Sequence, residues 1–184
     1  TEDKMLCNKA QKEFSMACKA RTVSYSQLYG GKITAALSRQ HPRDLFDCKY
    51  MEISSFGDVK DGFMLCLLGS DKPIIESLQP NSIDQADALE KQFNGMSDVE
   101  FSYADYEEAR RTLIAQVNAA LTEADKDFIL SFEEGIPDWD KCCAGDLSNY
   151  PSVKWKLQNI NKLKEMNSQK HQQGIERLKQ FFGR

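Results

Sequence analysis

Two helix-start signatures, Ser102-x-x-Asp105 and Thr122-x-x-Asp125, constrain this chain more than any other feature. A Ser or Thr hydroxyl accepts a hydrogen bond from the backbone N–H three residues on, and a carboxylate at that position returns one. Each signature therefore starts a helix at a defined residue. The first opens the longest pattern in the chain, Tyr103 to Leu121, with Tyr106, Leu113, Ile114 and Val117 on one stripe. The second opens a helix reaching about Phe132. Further helices read as Arg43 to Glu52 behind Pro42, a segment capped by Asp58 and stopped at about Gly69, and Pro73 to Leu78. Another is capped by Ser82 or Asp84 and ends near Asn94-Gly95. Gly135 to Asp146 reads as a loop, followed by helices over Leu147–Met166 and Ser168–Phe182. In Ser24–Leu37 the pair Gly30-Gly31 interrupts the pattern. Each glycine inside a helix costs about 1 kcal/mol, which predicts a turn or helix start around Ser26–Gly31 and a main helix from about Lys32 to Arg39. Strand signals are sparse: Phe14, Met16 and Cys18 alternate with smaller or polar neighbours and predict one strand at 14–19. The fold class is mainly α, a helical bundle with one or two short strands near the N-terminus. Residues 1–23 form an edge and residues 24–184 the helical domain.

Charge is arranged in three blocks. Residues 1–50 carry nine Lys/Arg and five Asp/Glu, residues 51–150 carry seven and 21, and residues 151–184 carry eight and two. The net charge of −4 conceals a basic head, an acidic middle and a basic tail. The longest apolar run, Phe63–Leu68, is far short of the roughly 20 residues that span a bilayer, so no membrane helix is expected. The six cysteines show no C-x-x-C spacing, and His41 and His171 are the two histidines. Zinc sites want paired ligands at short spacing. No metal site is expected within this chain, and free thiols in a reducing cytoplasm are. Thr1 opens no signal-peptide pattern, so a cytoplasmic location is expected.

The densest run of unusual polar residues is Tyr29 to Lys49. Lys32 and Arg39 are seven apart, which puts both on one face of a helix. Asp44 and Asp47 are three apart and share a face of the next. Pro42 lets the second helix turn back on the first, so cations and carboxylates can meet across the pair. Lys and Arg suit phosphates, and a nearby carboxylate can fix them, hold Mg²⁺ or accept a proton. The competing reading is a buried ion-pair network that sets the angle between two helices.

The run Gly30-Gly31-Lys32, Ala35-Ala36-Leu37, Arg39 and Arg43-Asp44-Leu45-Phe46-Asp47 resembles the second half of the nucleotidyl transferase AbiEii/AbiGii toxin family. That family is the toxin side of type IV toxin–antitoxin and phage abortive-infection systems. Ser131–Trp139 and Tyr150–Ile160 are similar to its C-terminal region, and the likeness covers most of residues 20–182. The resemblance implies a DNA polymerase β-like nucleotidyltransferase. It implies that Lys32 contacts the nucleoside triphosphate and that Asp44 or Asp47 supplies a catalytic carboxylate. Arg39 and Arg43 are then substrate-binding residues. It also implies Mg²⁺ in the complete enzyme, an RNA (such as tRNA) or protein acceptor, and an antitoxin partner. The family's Gly-Gly-Thr loop and paired metal-binding carboxylates have no counterpart before Lys32. Residues 1–23 are accordingly expected to be the remnant edge of an upstream nucleotidyltransferase domain, and the chain alone is expected to be inactive.

The tail holds Lys154, Lys156, Lys162, Lys164, Lys170, Arg177, Lys179 and Arg184 around Trp155, a composition able to face RNA or simply a solvated helix face. His41 is expected to cap or pack, and His171 to be exposed. The alternative function is a helical protein- or RNA-interaction module whose Lys/Arg/Asp block is structural.

Overall fold

Where the cap signatures stand, the helices begin. The computed structural model describes residues 1–184. Ser102 Oγ accepts from the Asp105 N–H at 3.2 Å and Asp105 accepts from the Ser102 N–H at 3.0 Å, opening a helix over Tyr103–Ala120. Thr122 and Asp125 repeat the exchange at 3.2 and 2.8 Å for Glu123–Glu133. In chain order the elements are β1 (Glu2–Met5), α1 (Asn8–Glu13), β2 (Lys19–Thr22), α2 (Tyr25–Arg39) and α3 (Pro42–Lys49). A 3₁₀ turn (Phe56–Val59) leads into α4 (Lys60–Leu68), followed by α5 (Ile74–Leu78) and α6 (Ala86–Ala88), which runs into a wide turn over Leu89–Phe93. Then come α7 (Tyr103–Ala120), α8 (Glu123–Glu133), a 3₁₀ turn (Trp139–Lys141), α9 (Pro151–Met166) and α10 (Ser168–Phe181). The molecule is mainly α, with one two-stranded antiparallel sheet in which Glu2 pairs with Thr22 and Met5 with Lys19.

The predicted strand at 14–19 is displaced. Phe14 and Met16 lie in a turn, 68% and 57% exposed, and the paired strands are 2–5 and 19–22. Alternation marks a strand only where one face is buried, and here neither is. No residue of β1 or α1 is buried, so residues 1–23 project from the body.

The glycine pair does not interrupt the helix: α2 starts at Tyr25 and runs unbroken through both glycines. A Cβ on Gly30 would overlap the backbone of Gly62 and Phe63, and one on Gly62 would overlap Ser26 and Gln27. The two glycines let α2 and α4 cross backbone to backbone, and the Gly62 N–H donates to Ser26 Oγ at 2.9 Å. Helix propensity yields to this contact, as it commonly does to tertiary packing. The crossing buries Ile33, Ala36 and Leu37 against Phe63, Met64 and Leu67, and the core continues through Tyr106, Phe128 and Phe132. Each such large apolar side chain contributes about 1.5–3 kcal/mol by leaving water.

Asp58 is the far partner of a cap rather than the cap itself: Ser55 stands before the 3₁₀ turn, and Asp58 accepts from its N–H at 2.9 Å. His171 is a further correction. It is 7% exposed, with Nε2 2.8 Å from the Glu133 carbonyl oxygen. Cys142 and Cys143 are free thiols.

Candidate functional site at the corner between α2 and α3

The corner between these helices is two residues, Gln40 and His41. Gln40 closes α2 in the left-handed conformation (φ 51°, ψ 30°), and His41 opens α3. Non-glycine residues adopt positive φ only where their surroundings hold them. Here the hold is buried. The Gln40 carbonyl accepts from the Tyr106 hydroxyl at 2.9 Å, and its amide nitrogen donates to the Asn81 carbonyl at 2.7 Å. The Arg110 guanidinium donates to the Ile83 carbonyl at 2.9 Å and to Gln40 Oε1 at 3.4 Å. His41 Nδ1 accepts from the Arg43 N–H at 3.2 Å, capping α3, and Nε2 lies 3.1 Å from Gln92 Oε1. His41 is a cap, as expected. Sequence reasoning missed Gln40, Tyr106 and Arg110, because nothing in a Gln at a helix end marks a left-handed residue and its partners come from α7.

This corner sets the cations of α2 against the carboxylates of α3. The Lys32 ammonium hydrogen-bonds to Asp47 Oδ2, and Arg39 donates to Asp44 Oδ1 at 2.9 Å. The hydrogen bond from Asp47 raises the Lys32 ammonium above its ordinary value, against the opposing effect of burial. Beneath them Cys48 is buried, and that burial, with Asp47 and Asp44 beside it, pushes its thiol up to about 12. Arg43 is exposed and has no carboxylate partner. A neighbouring pair missed from the sequence, Lys49 with Asp105 at 2.7 Å, ties α3 to the start of α7.

Exposure separates the two readings of this block. Lys32 and Asp47 keep 38% and 46% of their side chains in water, and Arg39 keeps 65% against 20% for Asp44. A buried network setting the helix angle is not what stands here. Solvent-exposed pairs contribute about 0–1 kcal/mol, while the angle is held behind them by Gln40, Tyr106 and Arg110. The five residues sit on an open surface. A groove of about 710 Å³ lies beyond Cys48 and Lys49 between Met51, Phe56 and Leu113, and of the five none lines it. The residues do not suit Mg²⁺ as arranged. Asp44 and Asp47 each face a cation, and no three His, Cys, Asp or Glu side chains come together anywhere as a metal-holding group.

A model of the nucleotidyl transferase AbiEii toxin family, type IV toxin–antitoxin system, matches residues 1–159. The chain belongs to that family. The match starts earlier than the expected likeness over residues 20–182 and stops within α9, so it takes in the α2–α3 corner, β1 and β2 but not α10. No curated protein and no solved structure matches the chain. The family-like stretches near the end turn out to hold the fold together. Glu133 accepts from the Ile74 N–H at 3.3 Å at the start of α5, and the Lys156 ammonium reaches the carbonyls of Leu67 (3.5 Å) and Ser70 (3.1 Å) at the end of α4.

Proposed function

We propose that this chain is the helical part of a nucleotidyltransferase that moves a nucleoside monophosphate from an NTP to an RNA or protein acceptor. What supports the reading is the family match together with the exposure of the paired cations. Lys32 and Arg39 lie on one face of α2 and reach water, and their pairs add little to stability, so the fold alone gives little reason for their placement. A triphosphate can exchange with the carboxylates for these cations, the Arg fork suiting two phosphate oxygens and the ammonium one. Asp47 and Asp44 then hold Lys32 and Arg39 in place before the nucleotide arrives, which lowers the ordering cost of binding. When the nucleotide takes the cations, a released carboxylate is placed to accept a proton from an attacking hydroxyl. Arg43, unpaired at the rim, adds a further phosphate contact.

Residues 1–184, in which no three His, Cys, Asp or Glu side chains gather to hold a metal ion, bind nucleotide without turnover. The test uses the protein expressed from its own locus with α-³²P-labelled NTPs, total RNA and lysate protein. Label should pass to acceptor, and Lys32→Ala and Asp47→Ala should each cut transfer at least tenfold. Transfer that survives both substitutions removes these residues from the active site. No transfer by the wild-type protein to either acceptor class leaves the alternative, an interaction module, as the better account.

A further inference from the structure

The eight cations of the tail divide into two sets. Four are used inside the molecule. Lys156 holds the carbonyls after α4, Lys164 donates to the Glu134 carbonyl at 3.0 Å, Lys179 pairs with Glu134 at 3.7 Å, and Arg184 reaches Glu123 at 2.8 Å and also Asp127. The other four, Lys154, Lys162, Lys170 and Arg177, are exposed and meet no carboxylate. The only acidic residues in this stretch are Glu165 and Glu176, and neither pairs with them. Trp155, next to Lys154 on α9, keeps 66% of its surface in water. Val153, Lys156 and Ile160 are buried and fix the inward face of α9. Lys162 follows Trp155 by seven residues, two turns along the same outward stripe. Leu163 and Met166 on α9 are exposed as well, and scattered exposed apolar side chains are ordinary. An indole on the same outward stripe as an unpaired lysine, with further unpaired cations on the adjoining helix, is a specific combination, since bases stack on indoles while Lys and Arg take the phosphates.

We propose that α9 and α10 form a binding surface for single-stranded RNA, with Trp155 as the stacking platform and Lys154, Lys162, Lys170 and Arg177 as phosphate contacts. Charge complementarity with a polyanion carries the choice of partner. An acidic protein would neutralise the same cations, but protein interfaces pack an apolar centre, and the 710 Å³ groove lies elsewhere, between α3 and α7. Lys154 and Trp155 lie within residues 1–159, which the family model matches, and Lys162, Lys170 and Arg177 lie beyond them. The proposed surface rests on the nucleotidyl-transfer reading only in taking RNA as the acceptor. The binding itself uses none of the residues at the α2–α3 corner.

The experiment measures binding of a fluorescently labelled 12-nucleotide RNA to the full chain by anisotropy, with vesicles containing phosphatidylserine as a second probe. The expected affinity falls with salt, with a log–log slope of about −3 for four phosphate contacts. The triple variant Lys162→Glu/Lys170→Glu/Arg177→Glu should bind at least about tenfold more weakly. Trp155→Ala should bind roughly 5- to 100-fold more weakly. All four positions are exposed, so thermal melts of the variants should match wild type. Lys32→Ala should keep RNA binding while losing NTP binding. RNA binding that persists when no NTP binds overturns the corner's role and leaves this surface standing. The proposal is overturned if the triple variant and Trp155→Ala bind RNA as wild type does. It is also overturned if Lys32→Ala abolishes RNA binding while the triple variant retains it. Binding to the vesicles without binding to RNA overturns it in favour of a membrane surface.

Discussion

Lys32 and Lys156 are the same kind of side chain put to opposite uses. Lys32 lies across a helix corner with one carboxylate and more than a third of its side chain in water. Lys156 is 7% exposed, and its ammonium reaches the Leu67 and Ser70 carbonyls and Ser70 Oγ, with burial holding it below its ordinary value. A buried ammonium persists only where several acceptors replace water. Lys156 therefore serves the fold, giving the Ser70 carbonyl after α4 its partner. Lys32 can exchange its partner with little loss of stability. Burial and the number of acceptors, rather than residue type, distinguish a structural lysine from one available to a ligand.

Removing Lys156 should have the largest effect. Lys156→Met keeps the stem but leaves the Ser70 carbonyl without its partner and buried Glu133 without its nearby cation, and should destabilise the fold by about 3 kcal/mol in a urea titration. Next comes the glycine pair. Gly30→Ala drives a Cβ into the backbone of α4 and should cost about 1–3 kcal/mol. Gly31→Ala meets only Cys66 Sγ at 3.6 Å and should stabilise α2 by up to about 1 kcal/mol. Equal effects at the two positions would refute the backbone-to-backbone crossing.

These two positions also mark the limits of the sequence. The cap pairs Ser102/Asp105 and Thr122/Asp125 were legible because capping is local chemistry, and the helices they start begin where expected. The length of α2 was not, because the reason for Gly30 sits on α4, some 30 residues away. Lys156 and His171 looked like members of a basic, polar face, since their buried partners come from the end of α4 and from Glu133. At the site, Lys32, Arg39, Asp44 and Asp47 were legible as a block that meets across two helices, and the pairing is as the spacing implied. The backing by Gln40, Tyr106 and Arg110 was not, since it depends on α7 packing behind the corner.

A smaller effect tests the other buried pair by pH. Asp125 is nearly fully buried against Lys60 and Thr122. Burial pushes its carboxyl up, but the Lys60 ammonium and the Thr122 hydroxyl outweigh it and hold it below the ordinary 3.8. A group whose folded value is lowered adds stability that is present above its unfolded value and lost as pH falls through the folded one. The wild-type protein should therefore lose stability on acidification below about pH 4 more steeply than Asp125→Asn, measured by denaturant midpoint across that range. The smallest effect is expected at the corner, where Lys32→Ala and Arg39→Ala should each change stability by less than about 1 kcal/mol.

The central claim is that the corner cations are present for a ligand and not for the fold, and one paired measurement tests it. Purified wild-type chain and Lys32→Ala are melted, then titrated with each of the four nucleoside triphosphates by calorimetry. The account predicts matched melting and at least about tenfold weaker binding by the variant of whichever triphosphate the wild type takes up, the loss of one charge-assisted contact. A variant that melts much earlier, or that binds every triphosphate as the wild type does, contradicts it.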